Sequence, residues 1–185
     1  KVLAAWNGLM IRAFAYAGYY FDEPDWIATA ASAAEFVVAE MVEGPLDGAF
    51  ELMRTYKDDR ARITGYLDDY AAVCAAFAEL FEATGESIWL ERAVRMAERM
   101  IALFGDDAGG FYFTGEHHEN LIVRDKDQVD NATPSGNSLA IGALSRLSLL
   151  CGRTDYRDRV DRALRSFYTR MRQMPQGMAE MLQGL

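Results

Sequence analysis

The chain repeats itself at long range. Gly18, Gly85 and Gly152 stand 67 residues apart, each just after an apolar run. The same offset carries Arg12 onto Glu79 and Arg146, the one charged residue in the middle of each run. It also carries Met10 onto Phe77 and Leu144, and Ala13 onto Leu80 and Leu147. A unit repeated at fixed period is one supersecondary structure that buries its apolar face against its neighbours. Each glycine suits a helix C-terminal cap, where a left-handed conformation costs little without a Cβ. A second helix follows, opened by Asp25-Trp26, Ile88-Trp89 and Asp155-Tyr156. The aromatic comes four residues after Gly85 and Gly152 but eight after Gly18, which predicts a longer first turn, Tyr19 to Pro24.

The two helices of each unit differ in kind. The first set, near 3–17, 68–84 and 135–151, is apolar on nearly every side, the pattern of a buried helix. The second set is amphipathic. In 155–171 the stripe is Tyr156, Val160, Ala163, Leu164, Phe167 and Met171; in 88–104 it is Trp89, Ala93, Ala97, Met100, Ile101 and Phe104. Between units lie extended segments, in which Gly48-Ala49-Phe50-Glu51-Leu52 matches Gly109-Gly110-Phe111-Tyr112-Phe113. Leu121-Ile122-Val123 follows, so 110–123 reads as a β-hairpin with His117-His118 near its tip. After the third unit a short turn, Gln173 to Gly177, replaces this segment, and Met178 to Leu185 reads as the start of a fourth inner helix. A 67-residue unit exceeds the roughly 34 to 47 residues of common helical-pair solenoids. The expected fold is therefore all-α: a partial α/α toroid of about three helical hairpins, with inner and outer helices and short β-hairpin loops. In a toroid the inner helices run parallel, and the loops entering them wall a central cavity.

Charge excludes several classes. The formal net charge is -9, which argues against a nucleic-acid or anionic-membrane partner, since both need a basic patch. No apolar run approaches the roughly 20 residues that span a bilayer. Cys74 and Cys151 both fall in apolar helical runs and read as reduced core thiols of a cytoplasmic protein. Lys1 lies so close to a helical run that the protein is expected to extend beyond it. No metal and no cofactor are expected. His117-His118-Glu119 has no third spaced ligand, and adjacent side chains on a hairpin point to opposite faces.

The candidate site lies where polar turns feed buried helices. Asp130-Asn131-Ala132-Thr133-Pro134-Ser135-Gly136-Asn137-Ser138 runs directly into the apolar stretch 139–144. Thr133 followed by Pro134 predicts a helix start, because a hydroxyl caps orphan N–H groups and proline fits the first turn. Asp130, Asn131, Ser135 and Asn137 exceed what one cap needs and are candidate ligand-binding residues. The 67-residue offset places Asp68 on Ser135 and Tyr70 on Asn137, so 66–70 should face the same mouth. Asp68 and Asp69 are candidate catalytic carboxylates, an acid and a base for sugar chemistry, or else helix caps. Adjacent residues on a helix diverge by about 100°, so both facing one ligand is not expected. Asn7, inside an apolar run, must find a partner, since an unpaired buried amide costs about 1–3 kcal/mol. Trp6 beside it either fills the core or stacks on a sugar ring. Asn131-Ala132-Thr133 is a formal glycosylation sequon, but Pro134 follows it.

These motifs resemble a known family. Lys1-Val2-Leu3-Ala4-Ala5-Trp6-Asn7-Gly8-Leu9-Met10-Ile11, Leu67-Asp68-Asp69-Tyr70, Gly109-Gly110-Phe111-Tyr112-Phe113 and the 130–138 stretch are similar, in order, to thioredoxin-domain proteins of the spermatogenesis-associated protein 20 type. The resemblance implies a thioredoxin-like N-terminal domain followed by an (α/α)6 toroid of the six-hairpin glycosidase type, related in shape to N-acylglucosamine 2-epimerases. Residues 1–185 would be the C-terminal toroid segment. The thioredoxin-like domain and the rest of the ring would lie outside it, the former as an attached partner. The implied function is binding of a carbohydrate-like small molecule, with acid/base chemistry of glycosidase or sugar-epimerase type. The alternative is a non-catalytic scaffold or protein-interaction domain for the thioredoxin-like domain. Trp6, Met10 and Phe14 at one end of the arc and Met178, Met181 and Leu182 at the other would lack neighbours, so the isolated segment is expected to self-associate.

Overall fold

The computed structural model describes residues 1–115, 118 and 124–184. Three helical hairpins form the body. The first pairs α1 (Ala4–Tyr20) with α2 (Pro24–Met41), the second α3 (Leu67–Thr84) with α4 (Ser87–Phe104), and the third α5 (Gly136–Cys151) with α6 (Thr154–Gln173). A 3₁₀ turn, Pro175–Met178, leads into a short helix α7 (Ala179–Gln183). Helices α1, α3, α5 and α7 pack side by side in that order as an inner layer, and α2, α4 and α6 back their own partners. The N-termini of the inner helices meet at one end. The Ala5 N–H donates to Asp69 in the first turn of α3, and Gly136 at the start of α5 lies against Leu67 and Asp68. The inner helices therefore run parallel, as the toroid expectation requires.

Burial follows the sequence periodicity. All six residues of the α6 stripe are buried, and α4 buries Trp89, Ala93, Met96, Ala97, Met100 and Phe104. Helix α3 is covered from Leu67 to Leu80 on nearly every side because α1, α4 and α5 surround it. The first extended segment is more ordered than the expectation made it. Strand β3 (Glu51–Lys57) pairs antiparallel with β1 (Val2–Leu3), β2 (Val42–Glu43) and β4 (Arg60–Thr64). In the second, Gly105 and Phe111 form an isolated antiparallel bridge, and Leu121-Ile122-Val123 of the expected hairpin lie outside the described residues.

Two of the three repeat glycines are caps. Gly85 (φ 73°) and Gly152 (φ 65°) are left-handed and donate their N–H groups to Phe81 O and Ser148 O. Gly18 is not a cap: α1 runs two residues further, and Asp22 takes the positive φ of 57° in the longer turn. Gly18 instead permits packing, since a Cβ there would come within 2.7 Å of Ile27 Cγ1. The repeated charge is a ladder across the inner layer. Buried Glu79 accepts from Arg146 at 2.5 and 3.0 Å and lies 3.7 Å from Arg12 Nε. Cys74 is buried, but Cys151, the last residue of α5, is exposed rather than core. Trp6 and Met10 are exposed as expected of an uncovered α1 face, whereas Met178 and Met181 are buried, because α7 folds back on α5. Among the described residues no helix is long and apolar enough to cross a membrane.

The closest approach of α1 and α3 rests on Gly8. A Cβ there would meet the Ala72 carbonyl carbon at 2.6 Å and Val73 N at 2.8 Å, both backbone atoms that cannot move aside. Gly142, two repeats further on, has nothing within 4 Å of such a Cβ. Gly8→Ala should therefore cost about 2–4 kcal/mol, whereas Gly142→Ala should gain about 0.5–1 kcal/mol from helix propensity. Urea denaturation followed by circular dichroism checks both; equal effects at the two positions would refute the backbone-contact account.

Candidate functional site

The first turn of α3 is held by a carboxylate. Tyr66 enters in extended conformation (φ -95°, ψ -179°), and its N–H donates to Asp69 Oδ2 at 3.0 Å. Asp69 Oδ1 accepts the Ala5 N–H at 3.0 Å, and Arg54 Nη1 from β3 reaches Oδ2 at 2.5 Å. Asp69 is only 1% exposed. Burial first, then the charge of Asp68, push its carboxyl up to about 6, against the pull of Arg54 and the two backbone amides. Asp68 is placed differently. It takes a bidentate grip from Arg54, with Nη1 to Oδ1 at 2.8 Å and Nη2 to Oδ2 at 3.1 Å, and 22% of its side chain stays exposed. The two carboxylates diverge as helix geometry demands, yet one guanidinium bridges both. Nothing local in the sequence marks Arg54, because β3 reaches this mouth only through long-range pairing.

The start of α5 is built in a parallel way. Its N-cap is Ser135, whose Oγ accepts the Ser138 N–H at 3.1 Å; Thr133 and Pro134 lie ahead of the helix rather than opening it. Residues before proline are driven out of helical conformation, which delays the start. Asp130 Oδ1 accepts the Ser135 N–H at 2.9 Å, and Oδ2 accepts the Glu180 N–H at 3.0 Å. Buried Asn137 accepts from Phe111 N at 2.8 Å and donates to Phe111 O at 2.9 Å and Asp127 O at 2.7 Å. Tyr70, its partner in the repeat, does the same work on β3: its hydroxyl accepts the Leu52 N–H at 2.8 Å and donates to Glu51 at 3.1 Å. Both residues fasten an extended segment behind the mouth. The Asn7 side chain donates to the N-cap of its own helix, Leu3 O, at 2.8 Å. Asn131 is exposed in the preceding turn.

Three groups keep exposed surface at the mouth, beside a stacked aromatic cluster. Asp68 keeps part of its carboxylate accessible. Trp6, in the first turn of α1, is 62% exposed and so stands free of the core. Asp127, which sequence reading passed over in the acidic run 125–130, is half-buried; burial chiefly, aided by Asp125, Asp68 and Asp130, raises its carboxyl above the ordinary range. The Tyr66 ring lies under Arg54 at 4.9 Å and stacks on Phe113 and His118 at 5.1 and 4.8 Å. Strain accompanies them. Ile63 faces Arg54 across the β3–β4 register and takes φ 64°, a left-handed conformation unusual for a β-branched residue. No group of three or more His, Cys, Asp or Glu positioned to hold a metal occurs among the described residues; His117 and Glu119 lie outside them.

Parallel inner helices with loop-walled N-termini, backed by outer helices, make this an α/α toroid fold of the six-hairpin glycosidase-like kind. It superposes on the α-1,6-mannanase GH76A of Salegentibacter sp. with TM-score 0.70 at 12% identity, over 90% of this chain and 47% of that one. That structure is an inactive variant in which two consecutive aspartates are asparagines, in complex with α-1,6-mannotriose. A second variant, with alanines there, holds the corresponding tetraose and gives TM-score 0.71. In sequence the chain is similar along its whole length to spermatogenesis-associated protein 20, at 36% identity to that of Rattus norvegicus and 35% to that of Homo sapiens. It spans about a quarter (24%) of those relatives. No protein-family profile matches the chain.

The two aspartates should separate experimentally. Asp69→Asn turns an amide N–H₂ toward donors and uncouples a buried charge, and should cost about 2–4 kcal/mol. Asp68→Asn, part-exposed, should cost under about 1 kcal/mol. The pH dependence has a definite sign. Because the folded state binds the Asp69 proton more tightly than the unfolded chain, its contribution to stability is full below the ordinary value of 3.8 and is lost as pH rises through about 6. Denaturation at pH 4, 5, 6 and 7 should show this downward slope in the parent relative to Asp69→Asn; superposable pH profiles would refute it.

Proposed function

We propose that the mouth binds a carbohydrate-like ligand and carries out acid/base chemistry on it, of glycosidase or sugar-epimerase type. One observation carries this reading. Asp69, Asp130, Ser135 and Asn137 are spent on backbone groups, while Asp68 keeps a part-exposed carboxylate positioned by Arg54. Asp68 supplies the carboxylate in this scheme. Asp127, whose burial holds its proton to higher pH, supplies the acid, since a pair of carboxyls in unlike environments divides the two roles. Trp6 offers an exposed ring for the apolar face of a pyranose. Support comes also from the fold neighbours: those mannanases hold α-1,6-linked mannose oligomers, and replacing adjacent aspartates accompanies their inactivity. Asp68 and Asp69 are an adjacent pair here. In the same reading residues 1–185 are a segment of an (α/α)6 ring completed elsewhere in a longer protein, and its free thiols fit a cytoplasmic setting.

A second reading is a scaffold for an attached thioredoxin-like domain. It is favoured by the exposed Tyr19 and Phe21 at the α1–α2 turn, which offer apolar surface for docking. The readings part on ligand. Titration calorimetry of the full-length protein with mannose, α-1,6-mannotriose and a panel of other neutral oligosaccharides should detect binding, and product analysis should detect turnover. Asp68→Asn should lower turnover by about 10²–10⁴-fold with the fold intact. The basic limb of the rate profile should lie above the ordinary carboxylate range and disappear in Asp127→Asn. Absence of binding to every sugar would sink the first reading and leave the scaffold.

A further inference from the structure

A cavity of about 420 Å³ opens between α1 and α7, lined by Leu9, Arg12, Tyr16, Pro134, Glu180 and Gln183. Its size lies within the range of small-molecule sites. It begins at the mouth: Pro134 directly precedes the cap of α5, and the Glu180 N–H is held by Asp130. Along α1, Trp6, Leu9, Ala13, Tyr16 and Tyr20 recur at three- and four-residue spacing, so they share one stripe. Three of them are aromatic and strongly exposed, at 62% for Trp6, 50% for Tyr16 and 66% for Tyr20. Tyr16 and Tyr20 lie against each other with centroids 4.4 Å apart. At a rise of 1.5 Å per residue, Trp6 and Tyr16 are about 15 Å apart along the helix.

Arg12, from α1 itself, and Glu180 and Gln183, from α7, supply polar groups without net charge. Glu180 accepts from Arg12 at 3.0 Å through Oε1 and from Gln183 at 3.2 Å through Oε2. Among the described residues Arg12 Nη2 is left as a donor and Gln183 Oε1 as an acceptor. The guanidinium is balanced by Glu180 and Glu79, so the wall does not select an anion such as a phosphorylated sugar. The exposed Tyr16 ring, with a free donor beside it on α1 and a free acceptor facing it from α7, matches a neutral pyranose.

We infer that the α1–α7 cavity is a distal subsite, in which Tyr16, Arg12 and Gln183 hold a neutral sugar unit of an oligosaccharide whose other end lies at Asp68. This rests on the sugar-binding reading of the mouth. The ligand is then a chain of several units rather than a monosaccharide, and affinity rises with its length.

The full-length protein titrated with mannose, α-1,6-mannobiose, α-1,6-mannotriose and the tetraose tests this. The parent should bind the tetraose at least tenfold more tightly than the biose. Tyr16→Ala and, separately, Gln183→Leu should abolish that gain while leaving biose affinity unchanged; both side chains are exposed, so melting temperatures should hold. A tetraose affinity unchanged in both variants, beside biose binding that still needs Asp68, overturns the subsite and leaves the mouth reading standing. A lowered melting temperature in Tyr16→Ala with unaltered length dependence assigns the stripe to packing and also overturns it. No binding of any of the four sugars overturns both.

Discussion

One buried carboxylate organises the mouth. A helix N-terminus leaves four N–H groups without intrahelical partners. At α3 the Asp69 side chain takes the Tyr66 N–H, then reaches past its own helix to the Ala5 N–H of α1 and to Arg54 of β3. Three elements, one of them 64 residues away, thus converge on two oxygens. Such a charge survives burial only when its lone pairs are filled, since the desolvation penalty is otherwise several kcal/mol. Asp130 repeats the device one helix further on, joining the start of α5 to the start of α7. The inner helices are therefore fastened to one another at their N-terminal ends by side chains as well as by packing.

That fastening explains which polar residues remain for a ligand. Asp69, Asp130, Ser135 and Asn137 are all engaged in holding the helix starts and extended segments. Tyr70 and Asn137 show the logic of the repeat, because different side chains at one repeat position perform one task, pinning the segment that precedes the helix. Arg12, Glu79 and Arg146 show its complement. One repeat position carries alternating charge, and a buried Glu79 satisfied from its neighbours ties the inner helices together. Repetition of backbone with variation of side chain leaves Asp68 as the member of the set that faces outward.

Much of this architecture was legible in the sequence, for a physical reason. Apolar periodicity is a local signal, and the α6 stripe Tyr156 to Met171 is buried in full because one face of an amphipathic helix has no alternative place to go. The 67-residue offset brought Asp68, Asp69, Ser135 and Asn137 to one mouth, as α3 and α5 do in the fold. The offset does not specify direction, however. Which aspartate turned inward depended on Arg54 and on the Ala5 amide, partners brought by β-pairing and helix packing over 15 and 64 residues. Gly18 misled for a related reason: cap and close-contact glycines look alike in sequence, and only the neighbour, Ile27, distinguishes them. Trp6 was equally ambiguous, since an aromatic in an apolar run fills the core unless the helix leaves that face uncovered, as α1 does.

In the proposed sugar-binding reading, the distribution of charge at the mouth favours a neutral ligand. Parallel inner helices turn their positive ends to the same side, and acidic side chains are stabilised there. Asp68, Asp69, Asp127 and Asp130 all gather at this end, with Arg54 as the cation bound to the first two. Nearby Lys126 is occupied by Asp106 and by Gly109 O. The dipoles favour the acids, and Asp69 and Asp130 take the Ala5, Tyr66, Ser135 and Glu180 N–H groups at these helix starts. A phosphate or carboxylate would meet the repulsion of these four acids at the mouth. A neutral ligand meets no such penalty. It can hydrogen-bond to a carboxylate such as Asp68, lay an apolar face on an exposed ring such as Trp6, and leave the buried network undisturbed.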